Sequence, residues 1–210
     1  MKENLIIIGA GNVGGFLAYN LEEVGDYNIL GFLDDDAEKQ GESLFGYTVL
    51  GIIDDIEKYI TKGPLHVIIG IANPKIKRSI VDKFFGLPLS YPNVVMKNVW
   101  LSKSVTLGKG IILYPGVTIN FESEIEDFVI MNMNCTIGHN CHISNFVTLA
   151  PGVSLAGFTY LEKGVDMGIN SATLQNVRIG ESSTVGGMGM VIHNLPPNCT
   201  AVGVPAKVIK

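Results

Sequence analysis

His139 and His142 stand close to Cys135 and Cys141, a set of residue types from which acid-base, nucleophilic or metal chemistry can be built. An imidazole titrates near neutral pH and can carry a proton during a reaction. His139 lies between Ile137 and Cys141, both expected to face inward, so its ring is expected outward near a corner of the chain. The two cysteines occupy small inward positions and read as core filler rather than nucleophiles. A metal site from His139, Cys141 and His142 is disfavoured, because neighbours such as Cys141 and His142 face opposite sides of a strand. No metal is therefore expected. Near the N-terminus, Gly9-Ala10-Gly11-Asn12-Val13-Gly14 follows an apolar run and opens a helical pattern. In that context glycines let backbone amides and a helix N-terminus approach a phosphate. Asp34-Asp35-Asp36 begins 34 − 14 = 20 residues later, where such folds place a carboxylate for ribose hydroxyls. Asn73-Pro74 reads as an N-cap followed by a first helical residue, just past the apolar run His66–Ile71.

Two different patterns must position these residues. Up to about Phe85, apolar runs alternate with helical ones: Leu5–Ile8, Val13–Glu23, Tyr27–Leu33, His66–Ile71 and Pro74–Phe85. That order predicts a Rossmann-like β-α-β domain over residues 1–90 with a parallel sheet. Its size suits one mononucleotide-binding half rather than a full redox-dinucleotide site. Gly86-Leu87-Pro88-Leu89-Ser90-Tyr91-Pro92 breaks any helix and marks the expected domain junction. Beyond it, every sixth residue from Leu101 to Val191 is aliphatic or Met, with Thr173 the one exception. No α-helix has that period. A sustained hexad over residues 91–210 predicts a parallel β-helix, each hexad a short strand plus a corner. Gly108, Asn120, Asn132, Gly138, Gly168, Gly180 and Gly186 at the second hexad position suggest corners with positive φ.

The 210 residues carry 15 Lys and Arg against 20 Asp and Glu, a net charge of −5, and are 47% hydrophobic. Without a basic cluster, nucleic acid is not an expected partner. No window approaches the ~20 apolar residues of a membrane span, so no membrane partner is expected. Met1–Asn4 leads directly into Leu5–Ile8, too short a lead for a signal peptide, so a cytoplasmic protein with three reduced cysteines is expected.

The hexads resemble the left-handed β-helix of bacterial hexapeptide acyltransferases, which winds three hexads per triangular coil and assembles as a trimer. The pairing with a glycine-rich β-α-β domain is similar to the NeuD/PglD-like family of nucleotide-sugar acetyltransferases. The most specific stretches are Ile137-Gly138-His139-Asn140-Cys141, Val147–Gly152, Gly168-Ile169-Asn170-Ser171 and Val202–Lys207.

The resemblance implies an acetyl-CoA-dependent N-acetyltransferase acting on a nucleotide-linked amino sugar, with UDP favoured, in a homotrimer. It assigns His139 as general base, Asn140 as the residue orienting it, and Gly157, at 139 + 18, as backbone oxyanion donor. Gly9, Gly11, Asn12, Val13, Gly14, Asp34, Asp35 and Asn73 are the implied nucleotide-sugar residues. Thr148, Gly157, Gly187, Gly203, Pro205 and Lys207 are the implied acetyl-CoA residues. Four positions depart from the family pattern. Asn140 replaces a carboxylate that would stabilise the imidazolium, Thr148 replaces a second histidine, and in the glycine loop Asn12 stands for a glycine and Val13 for a histidine. Transfer to a hydroxyl, a different nucleotide, an acyl group other than acetyl, or a decayed nucleotide-sugar-binding scaffold stays open on these residues.

Overall fold

A computed structural model describes residues 2–60 and 65–210. Its internal contacts divide the chain into two units, residues 1–72 with 79–94, and residues 73–78 with 95–210.

In the first unit Leu5, Ile6, Ile7 and Ile8 are fully buried on β1 (Glu3–Ile8), as expected for a strand covered on both faces. β1 pairs in parallel with β2 (Tyr27–Leu33) on one side and β5 (Leu65–Ile69) on the other. Between them runs α1 (Asn12–Asn20), followed by a 3-10 turn at Leu21–Glu23. A short hairpin, β3 (Ser43–Leu44) and β4 (Tyr47–Gly51), extends the sheet beyond β2. Its turn residues Phe45 and Gly46 both have positive φ, 52° and 85°. After α2 (Pro74–Lys83), β6 (Leu89–Ser90) joins β5 in parallel and gives the order β3-β4-β2-β1-β5-β6. The stretch expected as a plain junction thus contributes an edge strand.

In the second unit, strand partners lie 18 residues apart: Ile112 with Ile130, Ile130 with Thr148, Thr148 with Asp166 and Asp166 with Thr184. Three hexads therefore make one coil, and the strands stack into three parallel walls. The first wall runs from 94–95 to 184–185 and ends with 200–202 and 207–208; the second holds 100–101 to 190–191, and the third 106–107 to 178–179. Coiling begins at Val95, one hexad ahead of Leu101. The inward column Leu113, Met131, Leu149, Met167 and Val185 is wholly buried. Thr173 also faces the core, where its hydroxyl meets Thr159 Oγ1 at 2.8 Å and accepts the Ala156 N–H at 3.2 Å. A polar residue is tolerated there because its oxygen is satisfied.

The expected positive φ at the second hexad position is not found. It falls two residues later, at every sixth residue from Gly110 to Met188, including Glu122, Asn140 and Phe158. The second-position glycines serve close approach instead: a Cβ on Gly138 would lie 2.7 Å from the Gly157 nitrogen. The corner turns at the fourth residue, and where the second is glycine the next coil settles directly on it.

Candidate active site

His139 stands at the corner between the strand Thr136–Ile137 of the second wall and His142–Ile143 of the third. One face of its ring stacks on Phe121 of the previous coil, with centroids 5.2 Å apart and planes 8° from parallel. Phe158 of the next coil meets the ring edge-on at 5.1 Å. The coils are held in register here by the Phe158 N–H, which donates to the His139 carbonyl at 3.0 Å. Directly in column with His139, Gly157 has no side chain, and a Cβ there would lie 2.8 Å from both Cε1 and Nε2. Among the described residues nothing accepts the Gly157 N–H. A spare backbone donor therefore sits beside an imidazole whose orientation is fixed by packing.

Hydrogen bonding fixes the ring as well. His139 Nδ1 lies 2.9 Å from Asn140 Oδ1, and Asn140 Nδ2 donates to Glu122 Oε2 at 2.8 Å. Glu122, Phe121 and Phe158 belong to none of the motifs singled out in the sequence. The same 18-residue step that leads from His139 to Gly157 leads back from Asn140 to Glu122 and from His139 to Phe121.

Neither cysteine shares this surface. Cys135 and Cys141 are buried, their thiols resting on the Ala150 and Ala156 carbonyls at 3.2 and 3.3 Å. Burial pushes the Cys135 thiol up to about 12 and raises Cys141 as well, which suits filler rather than nucleophile. His142 faces the other way from Cys141, pairing with Glu126 at 2.6 Å and Glu124 at 3.3 Å and stacking on Tyr160. Among the described residues no three His, Cys, Asp or Glu side chains gather as a metal site.

Thr148 lies on the first wall, not beside the His139 corner, and is buried. Its hydroxyl accepts from Lys77 Nζ at 3.1 Å. Lys77 belongs to the 73–78 segment of this unit and is 1% exposed; burial brings its ammonium down to about 7, opposed by the nearby Asp166. Asp166 is moved upward by its own burial, and Lys77 partly offsets that. Gly187 packs against Gly168, where a Cβ would lie 2.5 Å from the Gly187 nitrogen. Gly203 and Pro205 form the turn, and Lys207 pairs with Val202, in an antiparallel hairpin that covers the last coil. Asn73 Oδ1 accepts the Lys75 and Ile76 N–H groups at 3.0 and 3.1 Å and so caps α2.

In the first unit the glycine loop has the expected strand-to-helix form. Gly9 turns the chain at φ 94°, and Gly14 packs so tightly on the Gly9 carbonyl that no side chain fits. Gly11 caps α1 with no side chain, and a Cβ there would touch nothing within 4 Å. The N–H groups of Asn12, Val13 and Gly14 precede the first intrahelical bond, Gly15 to Gly11 at 2.8 Å, and form the positive end of the helix. Asp34 reaches back to this loop: Oδ2 accepts the Ala10 N–H at 2.7 Å and meets Lys39 at 3.2 Å, and Oδ1 accepts the Asp36 N–H at 2.9 Å. Burial alone would raise its pKa, but these N–H groups and the Lys39 ammonium together hold it below the usual range. Asp35 Oδ1 accepts the Ile53 N–H at 2.9 Å. Both acids thus have structural work, and Asp34 is also the one tied to the loop.

Known proteins resemble this chain in sequence and in fold. Residues 4–84 match the PglD N-terminal domain family. A GDP-perosamine N-acetyltransferase of Escherichia coli O157:H7 is 27% identical over 199 residues, which span 90% of this chain and 86% of that protein. A Bacillus subtilis serine acetyltransferase is 33% identical over 109 residues, 48% of each chain. Among solved structures, the acetyltransferase domain of PglB from Neisseria gonorrhoeae in complex with acetyl coenzyme A superposes with a TM-score of 0.91 at 27% identity, covering all of both chains. PerB from Caulobacter crescentus in complex with CoA and GDP-perosamine gives 0.87 at 26% identity, covering 99% of this chain and 97% of that one.

Proposed function

As this chain is a member of the NeuD/PglD-like acetyltransferases, we propose that it moves an acetyl group from acetyl-CoA to the amino group of a nucleotide-linked sugar. The observation that carries the reading is the column of Gly157 on His139, which sets a free backbone donor next to an oriented imidazole. His139 Nε2 takes a proton from the sugar amine as its nitrogen bonds to the thioester carbon. The carbonyl oxygen becomes an oxyanion, and the Gly157 N–H donates to it, a contact worth about 2.7–4 kcal/mol in comparable sites. Collapse breaks the C–S bond, and His139 returns its proton to the departing CoA thiolate. No acyl-enzyme is involved, in keeping with the two buried thiols.

In this reading residues 1–90 bind the nucleotide sugar, with the diphosphate at the Gly9–Gly14 loop and the N-terminus of α1, and Asp34 and Asp35 around it. Residues 91–210 carry the transfer in a left-handed coil. Gly157, Gly187, Gly203, Pro205 and Lys207 line the CoA groove between neighbouring copies in a trimer, acting in the cytoplasm, and Thr148, buried against Lys77, stands outside it. Uracil is the first candidate for the nucleotide base; guanine is the alternative, since both perosamine relatives act on or bind a GDP-sugar by name. A second reading, acetyl transfer to a hydroxyl, is favoured by the 33% identity of about half of this chain to a serine acetyltransferase.

The test is CoA-thiol release from acetyl-CoA with a panel of UDP-, dTDP- and GDP-linked amino sugars and their hydroxyl counterparts. Turnover with an amino sugar alone supports the first reading, and turnover with a hydroxyl sugar the second. Nucleotide-sugar binding without acetyl-CoA binding identifies a scaffold.

A further inference from the structure

We infer that Glu122 is a positioning residue for His139, acting through the side-chain amide of Asn140 to choose which imidazole nitrogen is free to accept a proton. The inference rests on the proposed role of His139 as base. Asn140 alone cannot make that choice, because its amide has two hydrogen-bonding faces and either can turn toward the ring. With the carbonyl face toward Nδ1, the ring holds its proton on Nδ1 and offers a lone pair at Nε2. With the amino face toward Nδ1, the proton moves to Nε2 and the base is lost.

Glu122 removes the ambiguity. Its carboxylate oxygen Oε2 lies 2.8 Å from the outer atom of the Asn140 amide, and a carboxylate only accepts, so that atom must be the amino nitrogen. Oδ1 then faces His139 Nδ1 at 2.9 Å and can only accept the Nδ1 proton. Nε2 is left as the acceptor, on the side where Gly157 leaves room. The three residues form one chain of hydrogen bonds, Glu122 to Asn140 to His139, whose negative end lies one residue further from the ring than in a direct His–carboxylate pair.

The coil supplies the geometry. Glu122 and Asn140 are 18 residues apart and occupy the same corner position, with φ of 54° at both. Their side chains therefore leave the corner in parallel and meet between coils. Glu122 is anchored by its own N–H, which donates to Ser104 Oγ at 2.9 Å, another 18 residues back. Phe121, its neighbour, lies flat under the ring whose proton Glu122 controls. One residue pair thus holds the imidazole by its face and by its tautomer. A misassigned tautomer is costly in a catalytic triad, and in metal sites loss of a histidine's outer partner lowers affinity or activity by about 10–100-fold, which sets the scale expected here.

The experiment uses the full chain with 15N-labelled histidine and three variants. Glu122→Ala is expected to lower kcat by about tenfold or more with KM for acetyl-CoA unchanged. It is also expected to move the His139 nitrogen shifts away from the Nδ1–H pattern of the wild type. The exchange variant Glu122→Gln with Asn140→Asp puts a carboxylate directly on Nδ1–H and an amide donor behind it, and is expected to restore both kcat and the Nδ1–H pattern. Asn140→Asp alone sets two carboxylates against each other and is expected to fall below the exchange variant. Wild-type kcat and an unchanged tautomer in Glu122→Ala would overturn the inference. The NMR readout needs no turnover, so an inactive wild-type protein would count against the acetyl-transfer reading while the tautomer result still decides the role of Glu122.

Discussion

Gly157 lies so close over His139 that a single added methyl group would sit 2.8 Å from two of the ring atoms. Real Cβ atoms do not approach so near, so either the ring or the coil must move. The ring is held by Phe121 below and Asn140 at its edge, and its displacement would misplace Nε2. Gly157→Ala is therefore expected to lower kcat at least tenfold, since misplacement of about 1 Å can cost about a hundredfold, while the melting temperature moves by only a few degrees. Steady-state kinetics beside a thermal melt checks this. Gly138→Ala pushes against backbone at the Gly157 nitrogen and the Ala156 carbonyl carbon rather than a side chain, and is expected to lower the melting temperature more.

The glycine loop allows structural and ligand roles to be separated. A Cβ on Gly14 collides with the Gly9 carbonyl, so Gly14→Ala is expected to destabilise the first unit by about 1–3 kcal/mol, an overpacking cost. Gly11 has open space around it, and Gly11→Ala is expected to fold normally. If the loop holds a diphosphate, the methyl group added by Gly11→Ala crowds it, and calorimetric titration should show nucleotide-sugar affinity reduced about tenfold, or about 1.4 kcal/mol. Unchanged affinity in Gly11→Ala would place the nucleotide elsewhere.

Lys77 makes stability depend on pH in a definite direction. Its ammonium titrates at about 7 when folded and near 10.5 when unfolded. Between these values the unfolded chain binds more protons, so the contribution of Lys77 to stability improves as pH rises from about 7 toward 10.5. Below 7 both states are charged and the full cost of burying the ammonium remains. Lys77→Met removes that cost, so its melting temperature is expected to exceed that of wild type most at the low end of the window, with the gap narrowing as pH rises. Melts across the window check this, and a constant gap would mean that Lys77 is not buried as a charge.

Much of the fold is legible because its cause is local and repeated. The hexad places an aliphatic side chain inward at each step, and that pattern survives without knowledge of tertiary contacts. Three hexads per coil, which the family resemblance implies, then lead from His139 to Gly157 by a step of 18 residues. The phase of the corner is not legible: glycine at the second position marks thinness, and Phe128, Phe146 and Phe158 adopt the positive φ that glycine was expected to take. The hairpin at residues 43–51 is hidden because its turn is Phe45-Gly46 rather than an Asn-Gly pair, and β6 because Leu89 and Ser90 are flanked by prolines. Glu122 is silent for a different reason. An exposed acid in a corner looks solvated, and only its contact with Asn140 gives it a task.

Turnover of His139→Ala bears on the acid-base role more closely than any other measurement, followed as CoA-thiol release with the best nucleotide amino sugar from the panel and with the assembly state checked by light scattering. The expected result is a trimer that still binds both substrates while kcat falls about a hundredfold or more, the usual worth of a positioned acid-base group. A trimer turning over at close to the wild-type rate would remove His139 from the chemistry.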